Sequence, residues 1–266
     1  MARPTTFVNV SDLLGPEWRF LEPETNDPRL RFDFVRGLPA NAMERAVRRP
    51  NLARWRAALE AARAARAEGS VLVSHLPRMS AAANLARRAF APRARHLAFS
   101  FNFTDPPVGR AVGYYRRALG SVDRFVVYSR YEKGFYADLL GLQEDRIDFL
   151  PWAMETPVYD EAASRPVEGD YLCAVGGEAR DYAMLFEAMR ALPDLPMVVI
   201  ARPYSVAGLT APANVTVMTN VPPPITWRIA RDALAMAIPL RSSETACGHV
   251  TIVGAQRLGL PLAVTR

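Results

Sequence analysis

Short apolar runs alternate with longer stretches of helical periodicity along most of the chain. Thr6–Val10 (TFVNV), Arg31–Val35 (RFDFV), Val71–His75 (VLVSH) and His96–Phe103 (HLAFSFNF) are brief and rich in Val and Phe. Pro, Gly or Ser bounds them, as expected of buried strands. Phe125–Ser129 (FVVYS) and Ile147–Leu150 (IDFL) extend the set. Between them Ala42–Glu68 has a helical pattern that Pro50 must interrupt, because proline lacks an N–H and clashes with the preceding turn. Asn51 then predicts an N-cap for a helix over Leu52–Ala67. Further helices are predicted over Met79–Phe90, Gly109–Leu119 and Arg130–Leu140, the last closed by Gly141.

Pro157–Gly169 is polar, holds two prolines and has linker composition. A second alternating series follows, with strands expected at Tyr171–Val175, Met197–Ala201, Val215–Met218, Met236–Pro239 and Leu262–Thr265. Helical patterns at Tyr182–Leu192, Thr226–Leu234 and His249–Leu258 lie between them. Strands alternating with helices predict parallel sheets covered on both faces. The fold class is therefore α/β, as two Rossmann-like domains facing each other across a cleft. Their expected limits are 1–156 and 170–266, with 157–169 as the linker. The last strand ends at the chain terminus with no helix after it. The second domain is expected to be incomplete, and the chain to be a fragment of a longer protein.

Composition narrows the function classes. At 50% hydrophobic, 9% aromatic and 23% charged residues the chain is an ordinary globular one, which excludes collagen-like, disordered and disulfide-scaffold classes. Thirty-three basic against twenty-seven acidic residues give a net charge of +6, almost all of it from arginine, since Lys133 is the only lysine. Guanidinium forks suit phosphate and carboxylate ligands, although a codon bias toward arginine produces the same excess. The basic residues are scattered, so no nucleic-acid arm is expected. Cys173 and Cys247 sit far apart in or beside apolar runs, which fits a reducing compartment. No signal peptide and no membrane-spanning stretch is read, and a cytoplasmic protein is expected. Contact with a membrane surface stays open.

Two loops carry candidate chemistry. At Val175–Tyr182 (VGGEARDY) a strand runs through Gly176 and Gly177 into a helix with Arg180 near its start. Helix-terminal amides and a nearby cation make an anion site. The alternative is that the glycines only permit the turn and Arg180 is a solvated surface charge. At Pro239–Ala255 (PLRSSETACGHVTIVGA) a polar loop with Ser243, Glu244, Gly248 and His249 follows a strand, where crevices of open α/β sheets lie. Its side chains would bond sugar hydroxyls, and the amides after Gly248 would cradle a diphosphate. The alternative is an ordinary capped helix start. His75, at a strand end, is a candidate general base and Asp105 a competing acid. No histidine has metal-like spacing, so no metal and no cofactor are expected. Four dispersed tryptophans, Trp227 among them, suggest packing.

Several segments resemble the family 4 glycosyltransferases of the two-Rossmann, or GT-B, type. Ser121–Trp152 (SVDRFVVYSRYEKGFYADLLGLQEDRIDFLPW) looks like the segment that closes their first domain. Tyr171–Met189, Asn214–Val217 and Gly248–Val264 (GHVTIVGAQRLGLPLAV) look like parts of their nucleotide-sugar domain. The likeness covers roughly Val122 to the end. It implies transfer of a sugar from a nucleotide-diphosphate donor, bound mostly by the C-terminal domain, to a glycan or lipid-linked acceptor on the N-terminal one. Gly177 and Arg180 match the turn that meets the diphosphate, and Glu244 and Gly248 the loop facing the sugar and phosphates. The family's glutamate pair falls on Ala246 and Gly254 here, with Glu244 two positions before the first. The second of those glutamates bonds the donor ribose in the family. Its replacement keeps a rival open, a non-catalytic GT-B-fold binding or scaffold protein that has lost activity. On the main reading Arg180 and helix-terminal amides stabilise the departing diphosphate without a metal.

Overall fold

The computed structural model describes residues 4–13, 27–47, 49–241 and 246–265. The chain divides into two compact units, Met1–Pro151 and Trp152–Arg266. The first contains β1 (Thr5–Ser11), β2 (Leu30–Arg36), α1 (Ala42–Ala46), α2 (Leu52–Ala64), β3 (Ser70–His75) and α3 (Pro77–Phe90). It continues with β4 (Arg95–Phe99), α4 (Arg110–Leu119), β5 (Arg124–Val127), α5 (Arg130–Leu140) and β6 (Ile147–Phe149). Its parallel sheet has the order β2-β1-β3-β4-β5-β6. Strand order reverses between β1 and β3, which makes their carboxyl ends the switch point of this sheet.

Local chemistry explains where these elements start and stop. Asn51 caps α2, its Oδ1 accepting from Arg54 N at 2.9 Å. Pro77 opens α3 at a position where its missing N–H costs nothing, so the helix starts two residues before the periodicity predicts. Ser129 is the N-cap of α5 and not a strand residue. Gly141 ends that helix at φ 65°, as expected of a left-handed C-cap. The predicted strand His96–Phe103 is too long. Ser100 adopts φ 52°, which ends β4 at Phe99, and its Oγ lies 2.7 Å from the Tyr128 hydroxyl. Phe101 and Phe103 instead enter the core beside Phe125 and Tyr136, with edge-on ring contacts at 5.0–5.8 Å.

Alanines build the other half of that core. Ala57, Ala58, Ala61 and Ala62 of α2 and Ala82, Ala83 and Ala86 of α3 are buried in one cluster with Val8, Val10 and Leu72. Such small side chains let two helices approach closely. Beneath α3, a buried polar network ties helix to sheet. Ser74 Oγ lies 2.7 Å from His96 Nε2, and His96 Nδ1 lies 3.2 Å from Asn84 Oδ1, which also accepts from Arg87 Nε. Asn84 Oδ1 is thus an acceptor, so His96 Nδ1 carries the proton. The opposite face of the sheet holds a smaller cluster made of strand residues and Tyr128, centred on Val73, Phe99 and Val126.

The second unit contains β7 (Leu172–Val175), α6 (Tyr182–Arg190), β8 (Met197–Ala201), α7 (Pro203–Val206) and β9 (Val215–Thr219). After them come α8 (Pro223–Arg231), β10 (Ala235–Ile238), α9 (His249–Arg257) and β11 (Leu262–Val264). Its parallel sheet has the order β11-β10-β7-β8-β9. Along β7 and β8 alternate side chains enter two separate cores. Cys173, Val198 and Ile200 face Ile229, Ala230 and Ala255, whereas Ala174, Met197 and Val199 face Tyr182, Phe186 and Met189. This sheet is covered on both faces. Residues 157–169 pack on this unit. Asp160 N donates to Pro224 O at 3.1 Å, and the Arg231 guanidinium lies over the Tyr159 ring.

Candidate functional site

In the second unit the strand order reverses between β7 and β10, and the loop after β7 folds onto the end of β10. Asp181 N donates to Pro239 O at 2.8 Å and Arg241 N to Ala179 O at 3.0 Å. Arg180 and Leu240 thereby form an isolated antiparallel bridge. Gly176, at φ 129°, permits this fold, since a Cβ there would lie 2.7 Å from Arg180 Nη2. A Cβ on Gly177 would meet Arg202, 2.8 Å from its Cβ. Ala179 holds φ 53° without being glycine, a strained conformation of the kind that gathers at functional turns.

Arg180 is only 6% exposed, so it is not a solvated surface charge. Its Nη1 donates to Glu178 O at 3.0 Å and its Nη2 to Thr251 Oγ1 at 3.3 Å, with Val175 O at 3.4 Å. Burial draws its pKa below the ordinary arginine value, offset by Tyr182, Cys247 and Glu178. A guanidinium keeps its charge through such a shift. Thr251 stands in the first turn of α9, whose N-cap is Gly248 at φ 98°, a residue with no side chain of its own to cap the helix. A buried cation and the positive end of a helix therefore converge at the switch point.

The structure brings Gly176, Gly177, Arg180, Gly248 and His249 to this one edge. Ser243 and Glu244 lie outside the described residues. Thr251, which sequence reasoning passed over, joins the loop to α9. Its only signal is a Thr three residues after a helix-capping glycine. Gly254 has a structural cause that the sequence hides. A Cβ there would run into the Trp227 indole of α8, 2.8 Å from Cζ3. The tryptophan packs, as its dispersed position suggested, and it fills the space that a larger residue on α9 would need.

In the first unit His75 ends β3 at the switch point beside β1. It is wholly buried, its Nε2 3.3 Å from Asn9 Oδ1 and its ring edge-on to Phe99. Asn9 Nδ2 donates to Phe7 O, so Oδ1 faces the imidazole and His75 Nε2 carries the proton. Burial pulls the His75 pKa down to about 4, and the ring is neutral at pH 7. Leu76, directly after it, holds φ 66°. Asp105 is exposed on the loop between β4 and α4. It takes no part in the buried cluster in which Glu132 accepts from Asn102 Nδ2 at 2.6 Å and Ser129 Oγ at 2.9 Å. Among the described residues no group of three His, Cys, Asp or Glu is placed to hold a metal ion. None of their helices is long and apolar enough to cross a membrane.

No family model matches the sequence, and no curated protein matches it. Solved structures do. The chain is similar to the lipopolysaccharide outer core galactosyltransferase WaaB in its apo form, with a TM-score of 0.61 and 11% identity over 97% of this chain and 80% of that one. It is similar to HepE of Anabaena in complex with UDP and glucose, with a TM-score of 0.63 and 9% identity over the same shares. A glycosyltransferase from Rickettsia africae matches with a TM-score of 0.60 and 12% identity over 100% of this chain and 80% of that one. At such identities the likeness speaks for the fold. The chain has the GT-B fold. Within it, the buried arginine and the N-terminus of α9 occupy the carboxyl edge of the second Rossmann-like unit.

Proposed function

We infer that this protein is a glycosyltransferase of the family 4 kind, moving a sugar from a nucleotide-diphosphate donor to a glycan or lipid-linked acceptor. The observation that carries the reading is Arg180, a buried guanidinium beside the N-terminus of α9, at a strand-order reversal. Breaking the bond between the sugar and the diphosphate leaves negative charge on the departing oxygen. Donors fixed in a water-poor setting stabilise that charge without reorganising. Arg180 supplies a full positive charge there, and Gly176, Gly177, Gly248 and His249 bring backbone close enough to share the load. Ser243 and Glu244 complete the donor loop on this reading. Of the two candidates for receiving the acceptor's proton, Asp105 is exposed and His75 is enclosed, which favours Asp105 as the base and His75 as a positioning residue.

HepE is crystallised with UDP and with UDP-glucose, which makes UDP the first nucleotide to try. Release of UDP from UDP-glucose and UDP-galactose by the purified chain, with Arg180→Ala as control, tests the reading. One observation favours a second reading, a GT-B-fold binding protein without activity. Trp227 occupies the space over Gly254, where the family's ribose-bonding glutamate would stand. Saturable UDP binding with no turnover of any donor sugar would select that alternative.

A further inference from the structure

The helical layer of the first unit carries a hollow that the donor chemistry does not use. It has a volume of about 340 Å³, and its walls include Arg49, Arg54, Trp55, Arg78, Tyr114 and Tyr115. Arg54 is already neutralised, gripping Asp12 Oδ2 through Nε at 2.8 Å and Nη2 at 2.5 Å. Arg49 and Arg78 are exposed and form no ion pair among the described residues. Arg78 also stands in the first turn of α3, whose N-cap residue Leu76 has no side chain able to cap it. The hollow thus presents two guanidiniums without an ion-pair partner among the described residues, one of them in the first turn of a 14-residue helix.

Its other wall is aromatic. Tyr115 is held edge-on between Phe103 and Tyr114, at ring distances of 5.0 and 5.1 Å. Tyr114 is 46% exposed, so its ring is open to a ligand in the hollow. An adjoining hollow shares Tyr114 and adds Arg110 and Arg117 of α4, which prolongs the positive surface. Guanidinium forks match phosphate oxygens bidentately, while tyrosine and tryptophan rings offer an apolar face with a polar tip. Both features together call for an anion carried on a ring.

We propose that this hollow binds a sugar phosphate, with the phosphate between Arg49 and Arg78 and the sugar ring against Trp55 and Tyr114. Its role as the acceptor site rests on the transferase reading; the anion chemistry does not. Calorimetric titration of the full chain with glucose 1-phosphate, with inorganic phosphate and with UDP tests it. Glucose 1-phosphate binds saturably, more tightly than inorganic phosphate, and with the same affinity when UDP is saturating. The double variant Arg49→Ala/Arg78→Ala weakens glucose 1-phosphate binding by about tenfold or more, as loss of charge-assisted hydrogen bonds requires, and leaves UDP affinity unchanged. Tyr114→Ala weakens glucose 1-phosphate but not inorganic phosphate. Competition between glucose 1-phosphate and UDP, equal affinity for the two phosphates, or full affinity in the double variant would each overturn the site. Absence of binding of UDP, GDP and TDP alike alongside intact glucose 1-phosphate binding removes the transferase reading and still supports this one.

Discussion

Arg180 is a charged side chain withdrawn almost entirely from water, held by two backbone carbonyls and one hydroxyl. Such an arrangement leaves part of its charge for a ligand. Arg180→Ala is expected to weaken UDP binding by about 1.5–3 kcal/mol, the range for a hydrogen bond to a charged group. Calorimetry measures it, and unchanged affinity would make the residue a structural clamp. The two buried imidazoles have a different signature. Burial lowers the His75 pKa to about 4 and the His96 pKa to about 3, the latter with help from Arg87. Unfolded histidines bind protons from about pH 6.5 downward, while the folded rings stay neutral. Below that pH the unfolded chain therefore holds more protons, and stability falls as pH falls. Each ring costs up to about 1.4 kcal/mol per pH unit, until its folded pKa is reached. Urea unfolding at pH 7.5, 6 and 5 should show the decline, and His75→Gln should remove one ring's share of it. A flat profile in the parent protein would contradict the burial of both rings.

At the scale of elements, the turn after β7 decides the geometry around Arg180. Gly176→Ala puts a methyl in a left-handed backbone and into the guanidinium. UDP affinity should fall by at least as much as in Arg180→Ala, with the far-UV circular dichroism of the parent retained. Asn51→Ala removes the cap of α2 and should cost about 1 kcal/mol of stability with no effect on UDP binding. Elements like these were legible because their signals are local: a capping side chain, a proline break before a helix, a short run of Val, Ile or Phe. The end of β4 was not legible, because Ser100 takes its left-handed conformation beside Tyr128, a partner far along the chain. The short α7 carries too few residues to show a period. The donor edge was half legible. Gly176, Gly177, Arg180 and Gly248 stand out by type and spacing, but Thr251 and Trp227 matter through contacts that only the folded chain creates.

At the scale of the whole molecule each unit has its own sheet and its own cores, with Val8, Leu72 and Phe125 in one and Val198, Val199 and Met236 in the other. A ligand that meets only the second unit stabilises only the states in which that unit is folded. The gain is about 2.7 kcal/mol at a free concentration one hundred times Kd. Amides of β7 and β8 exchange through opening of the second unit, so this gain should appear there in full. Amides of β3 and β4 exchange through opening of the first and should gain little. Hydrogen exchange with and without saturating UDP reads both at once: slower exchange at Val198 and Val199, and unchanged exchange at Leu72 and Val73. In Arg180→Ala at the same UDP concentration the gain at Val199 should shrink in step with the lost affinity. Equal protection at Leu72 and Val199 would mean that UDP stabilises both units together, and would shift the donor reading away from the second unit alone.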